Sequence, residues 1–209
     1  MIFRDIVERY NISNPFLLRL FIKRILSTIT SEFSVNKLYN DLKSQGITVS
    51  KNTLYQFLDY CQDCFLFFPV YSYQASPYRR ELSNKKLYIV DSGLLNAVSF
   101  SYSDDWGKLL ENQVYLELRR RYPEIYYLKN GFECNFVCLS ADGERFLYQV
   151  TYHLQTESAI QREVNSLLKA ADKLKVKETF ILTMDQEQDL KINGKSLQVL
   201  PVWKWSLIR

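Results

Sequence analysis

Hydrophobic residues in the first third of the chain recur every three to four positions, which predicts four amphipathic helices. The first covers residues 1–10. The second begins after Ser13, a residue type that favours the helix N-cap. The third follows Ser34 and ends at Gly46, where a left-handed backbone is expected, and the fourth follows Ser50.

After the fourth helix the pattern changes from helical to strand-like. The runs CFLFFPVYSY and KLYIV read as two strands, separated by the polar segment SPYRRELSNKK. A helix, a short turn, a second helix and a two-stranded ribbon are typical of a winged-helix domain. We therefore predict an N-terminal helical, winged-helix domain over residues 1–90.

This prediction assigns candidate nucleic-acid-binding residues to the fourth helix and to the ribbon, which we call the wing. Polar side chains at a helix start and basic side chains on a wing are what contact with phosphates needs. Asp59 and Asp63 place negative charge on the same helix, and winged helices also serve as protein-interaction modules, so both kinds of partner stay open. The candidates are Ser50, Lys51, Asn52, Tyr55 and Gln56 on the helix, and Arg79, Arg80, Lys85 and Lys86 on the wing.

The charge of the chain is uneven along its length. Residues 1–90 hold 12 Lys and Arg against 7 Asp and Glu, a net charge of +5, whereas residues 91–209 hold 15 against 16, a net charge of −1. This modest excess permits nucleic-acid contact without requiring it. Because the sequence contains no apolar run of membrane length and no signal-peptide pattern, we expect a cytoplasmic protein without membrane contact.

The second part of the chain predicts a different succession of elements. A helix over about 104–121 precedes three strands whose connections carry Asn-Gly and Asp-Gly pairs. A long helix over about 156–174, a strand at 179–183 and a last strand after Asn193-Gly194 follow. The order αβββαβ is the core of the PD-(D/E)XK restriction-endonuclease-like fold. We therefore expect a nuclease-like α/β domain over residues 91–209, and an α/β (α+β) protein overall.

The metal-binding residue types favour no metal site. The single histidine, His153, ends a strand-like run. Cys61 and Cys64 lie near a helix end, and Cys134 and Cys138 alternate with Phe on a strand, where thiols act as small hydrophobic groups. We predict core cysteines and no metal or other cofactor.

Several segments together resemble one known family. The runs KLYIVDSGLLNA, GKLLENQVYLELRRR, EIYYLKNGFECNFV, LYQVTY and LPVWKW resemble the C-terminal region of a prokaryotic, archaeal-type AAA ATPase family, and SVNKLYNDLKSQGITVSKNTLYQFLDY matches the same family. The resemblance covers essentially the whole chain. It implies a preceding P-loop ATPase domain, which this sequence lacks. Gly194-Lys195-Ser196 does not complete a Walker A motif, because Asp189 stands where the first glycine belongs. We expect no ATP binding; either the ATPase domain was lost or the chain is a piece of a longer protein.

The resemblance also implies where a nuclease centre would lie. Family members with an intact motif carry a Glu in the LLEN segment, an Asp on the second strand and Glu-x-Lys on the third, which bind Mg²⁺ and activate water. Glu111 matches the first position, whereas Asn135, Gln149 and Thr151 replace the others. One carboxylate is too few for a hard cation, so we predict a degenerate, non-catalytic site and no enzyme. A hydrogen-bond network of Glu111, Asn135 and Gln149 is favoured over a remnant phosphate-facing pocket, and both stay open.

The sequence thus supports three hypotheses. The first is a non-catalytic accessory module that binds double-stranded DNA and resembles the C-terminal part of an AAA-type ATPase. The second is a protein-interaction or oligomerisation module, with a protein partner or a second copy of the chain. The third is a residual metal-dependent nuclease. No small-molecule substrate is indicated.

Overall fold

The computed structural model describes residues 2–98, 106–129, 131–154, 156–192 and 195–208. The chain divides into two compact units. The first consists of Met1–Val70 and Asn84–Asp104, and the second of Tyr71–Ser83 and Asp105–Arg209. This division differs from the predicted boundary at residue 90, because residues 71–83 belong to the second unit although they lie between two segments of the first.

Helices and strands alternate irregularly along the chain, which is a mixed α/β protein. In chain order, the helices are α1 (Ile2–Arg9), α2 (Pro15–Ser27), α3 (Val35–Ser44), α4 (Lys51–Asp63), α5 (Pro77–Leu82), α6 (Gly93–Val98), α7 (Trp106–Arg121), α8 (Glu157–Leu174) and α9 (Val202–Leu207). The strands are β1 (Glu32–Phe33), β2 (Phe67–Ser72), β3 (Lys85–Ile89), β4 (Glu124–Lys129), β5 (Glu133–Leu139), β6 (Arg145–Val150), β7 (Glu178–Thr183), β8 (Gln188–Ile192) and β9 (Lys195–Pro201). Among the described helices, none is long and apolar enough to cross a membrane.

The helix ends of the first unit follow from local chemistry. The predicted caps Ser34 and Ser50 are confirmed, since their hydroxyls accept hydrogen bonds from backbone N–H groups three residues later. Gly46 adopts φ +75°, as a left-handed helix stop requires. The predicted cap Ser13 is wrong: Asn14 caps α2, because its Oδ1 accepts from the N–H of Leu17 at 3.0 Å.

The core of the first unit lies between the helices and the β1–β3 pair. Phe21 of α2 meets Phe57 of α4 edge-on, with ring centroids 5.6 Å apart, and Leu87 of β3 is fully buried in the same cluster. Cys61 also lies in this core. Burial, reinforced by the nearby Cys64, raises the pKa of the Cys61 thiol to about 12. The prediction of a core cysteine is confirmed at this position.

The second unit is built on a mixed sheet with the strand order β4-β5-β6-β7-β9-β8. Neighbouring strands from β4 to β6 are antiparallel, β6-β7 and β7-β9 are parallel, and β9-β8 is antiparallel. The end of β2, Tyr71–Ser72, pairs in parallel with β4. The succession α7-β4-β5-β6-α8-β7 contains the predicted elements in the predicted order.

The two faces of this sheet pack against different helices. One face presents Val137, Leu147 and Ile181 to the cluster that contains Val164 and Leu167 of α8. On the other face, Phe136 stacks against Tyr115 of α7, and Tyr148 lies edge-on to Trp205 of α9. Because side chains alternate along a strand, any polar residue of β5 or β6 can be assigned to one of these faces.

Five short elements were missed at the level of sequence: β1, α5, α6, β8 and α9. The most consequential is α5, because it forms inside the segment SPYRRELSNKK, for which the sequence predicts only a polar connection between the two strands of the wing. The predicted turn at Asn193-Gly194 lies outside the described residues, as does Asn130 of the predicted Asn-Gly turn before β5.

Candidate functional site

The first half of α4 presents a row of polar side chains to solvent. Leu54, Phe57, Leu58 and Cys61 face the core of the first unit. Four other positions of the first two turns are exposed, and Thr53 is half-buried. We call the exposed group the α4 surface; it consists of Lys51, Asn52, Tyr55 and Gln56.

Ser50 serves the helix itself and is separate from this surface. Its hydroxyl oxygen accepts from the N–H of Thr53 at 3.0 Å, and a second hydrogen bond joins it to the Thr53 hydroxyl at 2.9 Å. These contacts fix the first turn of α4. Ser50 therefore positions the start of α4, and its contact with nucleic acid stays a prediction.

The α4 surface leaves most of its hydrogen-bonding capacity for a partner. Lys51 holds its ammonium nitrogen 5.2 Å from the ring centroid of Tyr39. Among the described residues, Asn52, Tyr55 and Gln56 have no hydrogen-bond partner for their side chains. An exposed phenol and two amides with a lysine provide donors and acceptors of the kind that read base edges.

The predicted wing does not form one basic surface within a single unit. Arg79 and Arg80 lie on α5 in the second unit, whereas Lys85 and Lys86 lie on β3 in the first. Both lysines are half-buried and have interaction partners, and Lys86 stands opposite Glu32 of β1 in the strand pairing. Of the four, Arg79 is exposed and the others are half-buried.

Arg80 packs inside the second unit. Its Nη1 donates to the hydroxyl of Tyr126 at 2.7 Å, and its guanidinium carbon lies 4.5 Å from the centroid of the Tyr126 ring. Its Nη2 donates to the carbonyl oxygen of Gln74 at 3.4 Å. Burial, together with the hydrogen bond to Glu124, raises the pKa of Tyr126 to about 12. Arg80 therefore holds α5 in place, which corrects its assignment to an exposed wing.

The difference in net charge between residues 1–90 and 91–209 also disappears when the charges are counted for the two compact units instead. The first unit holds 10 Lys and Arg against 8 Asp and Glu, and the second holds 17 against 15. Each unit therefore carries +2. The overall charge no longer distinguishes the first unit, so the argument for nucleic-acid contact rests on the α4 surface.

A hydrogen-bond network connects β5, β6 and α8 in the second unit; we call it the amide network. Gln149 accepts from the N–H of Asn135 with its Oε1 at 3.1 Å, and donates through its Nε2 to Glu163 Oε2 at 2.6 Å. Asn135 Oδ1 accepts from the N–H of Val150 at 2.9 Å. Gln149 is only 8% exposed. The prediction named Glu111, Asn135 and Gln149; the structure joins Asn135 and Gln149, and the carboxylate that Gln149 contacts is Glu163.

The third member of the network was missed at the level of sequence. Glu163 lies on α8 and is not among the residues that the sequence assigns to the site. Its position between Ile160 and Leu167, three and four residues away, places it at the edge of the apolar side of α8. That spacing was the available signal. Glu163 Oε1 also accepts from Arg162 at 2.9 Å, so both carboxylate oxygens have donors.

Glu111 and Thr151 occupy different surroundings from the amide network. Glu111 lies one turn before Tyr115 on α7, and Tyr115 stacks on Phe136 with centroids 6.2 Å apart. By strand alternation, Asn135 and Gln149 point to the opposite face, toward α8. Glu111 is half-buried and has an interaction partner of its own. Thr151 donates its hydroxyl to the carbonyl oxygen of His153 at 3.4 Å.

These residues do not fit the Mg²⁺ centre that the nuclease resemblance implies. A hard cation needs several carboxylate oxygens, whereas Asn135 and Gln149 supply amides whose oxygens already accept backbone hydrogen bonds. Within the described ranges, no three His, Cys, Asp or Glu side chains come together as a metal site. We derive no catalytic step for this position.

Comparison with known proteins adds a family and two relatives. The model of a domain of unknown function, DUF8612, matches residues 1–105. An uncharacterized protein of Methanocaldococcus jannaschii is 32% identical over 218 residues, which cover 98% of this chain and 47% of the relative. An uncharacterized protein of Haemophilus influenzae is 25% identical over 208 residues, covering 99% of this chain and 50% of the relative. The chain thus spans about half the length of these relatives. Since the family model matches half of the chain, the protein belongs to the DUF8612 family.

Proposed function

We propose that this protein is a non-catalytic accessory module that docks on double-stranded DNA through the α4 surface. The observation that carries the proposal is the exposed row of Lys51, Asn52, Tyr55 and Gln56 on a capped helix start. The proposal retains the resemblance to the C-terminal part of a prokaryotic AAA-type ATPase, in which such a module would accompany a separate ATPase domain.

The order of elements in the first unit supports a winged-helix assignment. The order α2-β1-α3-α4-β2-β3, with β1 antiparallel to β3, follows the typical succession of that fold. In this assignment α3 and α4 form the helix pair and α4 is the recognition helix. The helix dipole at the Ser50 end favours a phosphate, while Asn52 and Gln56 have the amide chemistry that recognises adenine edges.

The second unit is proposed to have a nuclease-like fold without catalysis. The support comes from how its candidate positions are used: Asn135 and Gln149 join strands, and Glu163 accepts from Gln149 and Arg162. A calorimetric titration with Mg²⁺ and Mn²⁺ tests this part of the proposal. Saturable binding of either metal, removed by Glu163→Gln, would overturn it.

The DNA proposal is tested by fluorescence anisotropy of a labelled duplex titrated with the protein at two salt concentrations. We expect salt-sensitive binding that weakens at least tenfold in the combined variant Lys51→Gln, Asn52→Ala, Tyr55→Ala, Gln56→Ala, about 1.4 kcal/mol or more. Gln62→Ala, exposed in the last turn of the same helix, is the matched control. Equal binding by the wild type and the combined variant would refute the α4 surface as the site.

A second candidate function is protein interaction or oligomerisation, favoured by the exposed apolar side chains of α9. Trp203 is 61% exposed and Leu207, one turn later, is 75% exposed. Sedimentation analysis of the wild type and of Trp203→Ser distinguishes the candidates. A concentration-dependent dimer that Trp203→Ser disrupts, without DNA binding at low salt, would favour this function over DNA docking.

A further inference from the structure

The second unit contains an open cleft between the β5–β6 turn and the loop that joins α8 to β7. The cleft has a volume of ≈ 350 Å³. Arg145, Lys175 and Lys177 line it, together with Glu144 and Glu178. The three cations outnumber the two carboxylates, so the cleft favours an anionic ligand of distributed charge.

The basic side chains of the cleft remain available to a ligand. Lys175 and Lys177 are exposed, and among the described residues neither forms an ion pair with Glu144 or Glu178. Arg145 donates one N–H to the carbonyl oxygen of Leu174 at 3.3 Å, which leaves further donors of its guanidinium for an acceptor. An exposed ammonium pair beside an anchored guanidinium is suited to phosphate oxygens.

The backbone at Lys175 gives a second reason to assign the lysine a role. Lys175 adopts φ +54° immediately after α8, where the N–H of Val176 donates to the carbonyl oxygen of Ala171 at 2.9 Å and closes the turn. Glycine is the usual residue at this left-handed position, and a side chain there costs about 1 kcal/mol. The turn explains the conformation, but not the choice of lysine.

We propose that this cleft is a second contact for the phosphodiester backbone of DNA, made by the second unit independently of base sequence. The inference rests on the proposed DNA function, because the ligand is the same polyanion. In this inference Arg145, Lys175 and Lys177 neutralise phosphates and thereby release counterions from the DNA. The α4 surface, in contrast, contacts bases as well as phosphates. Two units that each carry +2 then both contribute to affinity.

The test compares the salt dependence of duplex binding between the wild type and the double variant Lys175→Gly, Lys177→Gln, which we call the cleft variant. The slope of log K against log salt, measured between about 50 and 200 mM, should become shallower by about 0.9 per lysine removed. Thermal stability should stay the same or rise, since glycine suits the φ of residue 175. Lys204→Gln, a charge removal on α9 of the same unit, should leave the slope unchanged.

The outcomes separate this inference from the proposed function. A slope unchanged in the cleft variant, with binding lost in the α4 variant, overturns the cleft and leaves the α4 surface. A shallower slope in the cleft variant, with binding retained in the α4 variant, supports the cleft and overturns the α4 surface. A wild-type chain that binds no duplex at low salt overturns both.

Discussion

The α4 surface and the amide network are built from the same residue types and use them in opposite ways. Asn52 and Gln56 on α4 stand exposed, without a partner for their side chains among the described residues. Asn135 and Gln149 in the second unit donate to or accept from neighbouring groups of the protein. Residue identity alone therefore does not tell an amide that is open to solvent from one that is engaged within the fold.

The difference follows from what the local backbone needs. The N–H groups inside α4 are satisfied by the helix, so its outward amides have no local task. In the second unit the described backbone pairing of β5 with β6 reaches Phe136 opposite Tyr148. Just beyond it, the N–H groups of Asn135 and Val150 take side-chain oxygens as acceptors. Backbone donors that are shielded from water require such partners, and the two amides supply them to these part-buried N–H groups.

The largest effect is expected from Gln149→Glu. This change replaces the donor that faces Glu163 at 2.6 Å with a second carboxylate, so we expect a loss of about 3 kcal/mol in the free energy of unfolding at pH 7. Because the two neighbouring carboxyl groups of this variant are shielded from water, one of them should have a pKa above the unfolded value of about 4.3. The loss should therefore shrink as the pH falls through that raised pKa.

Denaturant unfolding at pH 7 and pH 4 measures this effect, and Gln161→Glu on the exposed side of α8 is the matched control. The control should differ little from the wild type at either pH. A Gln149→Glu variant as stable as the control at pH 7 would show that the amide network does not hold the strands together.

Arg80 and Arg79 offer a second comparison, between a side chain that packs against the protein and one that faces solvent. Arg80→Met removes the hydrogen bonds to Tyr126 and Gln74, so we expect a loss of about 2 kcal/mol in the free energy of unfolding. Arg79→Met, on the exposed side of α5, should change it by less than about 0.5 kcal/mol. Equal losses in the two variants, measured by denaturant unfolding, would contradict the packing role of Arg80.

A smaller effect should separate the cap of α4 from its surface. Ser50→Ala removes the acceptor for the Thr53 N–H and should lower the free energy of unfolding by about 1 kcal/mol. Asn52→Ala, two residues later and exposed, should cost less than about half of that. Thermal unfolding of both variants gives the comparison. A larger loss for Asn52→Ala would mean that this residue serves the fold.

The smallest effect concerns acid stability of the second unit. Burial raises the pKa of Glu117, but hydrogen bonds from Arg121 and Arg120 and their charges outweigh it and leave the pKa below its ordinary value. A lowered pKa contributes stability above the unfolded value of about 4.3, and this contribution is lost as the pH falls through the folded pKa. Glu117→Gln should therefore cost about 1 kcal/mol or less at pH 7 and nothing at strongly acidic pH. If the difference in the free energy of unfolding between wild type and Glu117→Gln stayed constant from pH 7 to strongly acidic pH, the lowered pKa of Glu117 would be contradicted.

Most regular elements followed from the sequence because their signals are local. Apolar spacing and the Ser50 cap located α4, and the αL glycine located the end of α3. The short elements β1 and α9 contain too few residues for a periodic pattern of apolar positions to be recognised. The helix α5 was missed because its six residues show no helical apolar period and it is held by Arg80 against Tyr126, a residue 46 positions away.

The candidate sites were predictable to the extent that they lie within one element. The outward side chains of α4 could be read from helical periodicity and are exposed as expected. The wing could not be read, because the chain crosses between two units within it. Glu163 was missed because its partner Gln149 lies on a different element, 14 residues earlier. Contacts between elements depend on packing that a linear pattern does not contain.

One duplex titration with two variants tests whether the exposed α4 amides bind DNA while those of the amide network only stabilise the fold. For the double variant Asn52→Ala, Gln56→Ala, anisotropy should show an affinity at least tenfold lower than that of the wild type. For Glu163→Gln, measured under conditions where the protein remains folded, it should show wild-type affinity. Wild-type affinity in the α4 variant, or lost affinity in a folded Glu163→Gln protein, would contradict the account.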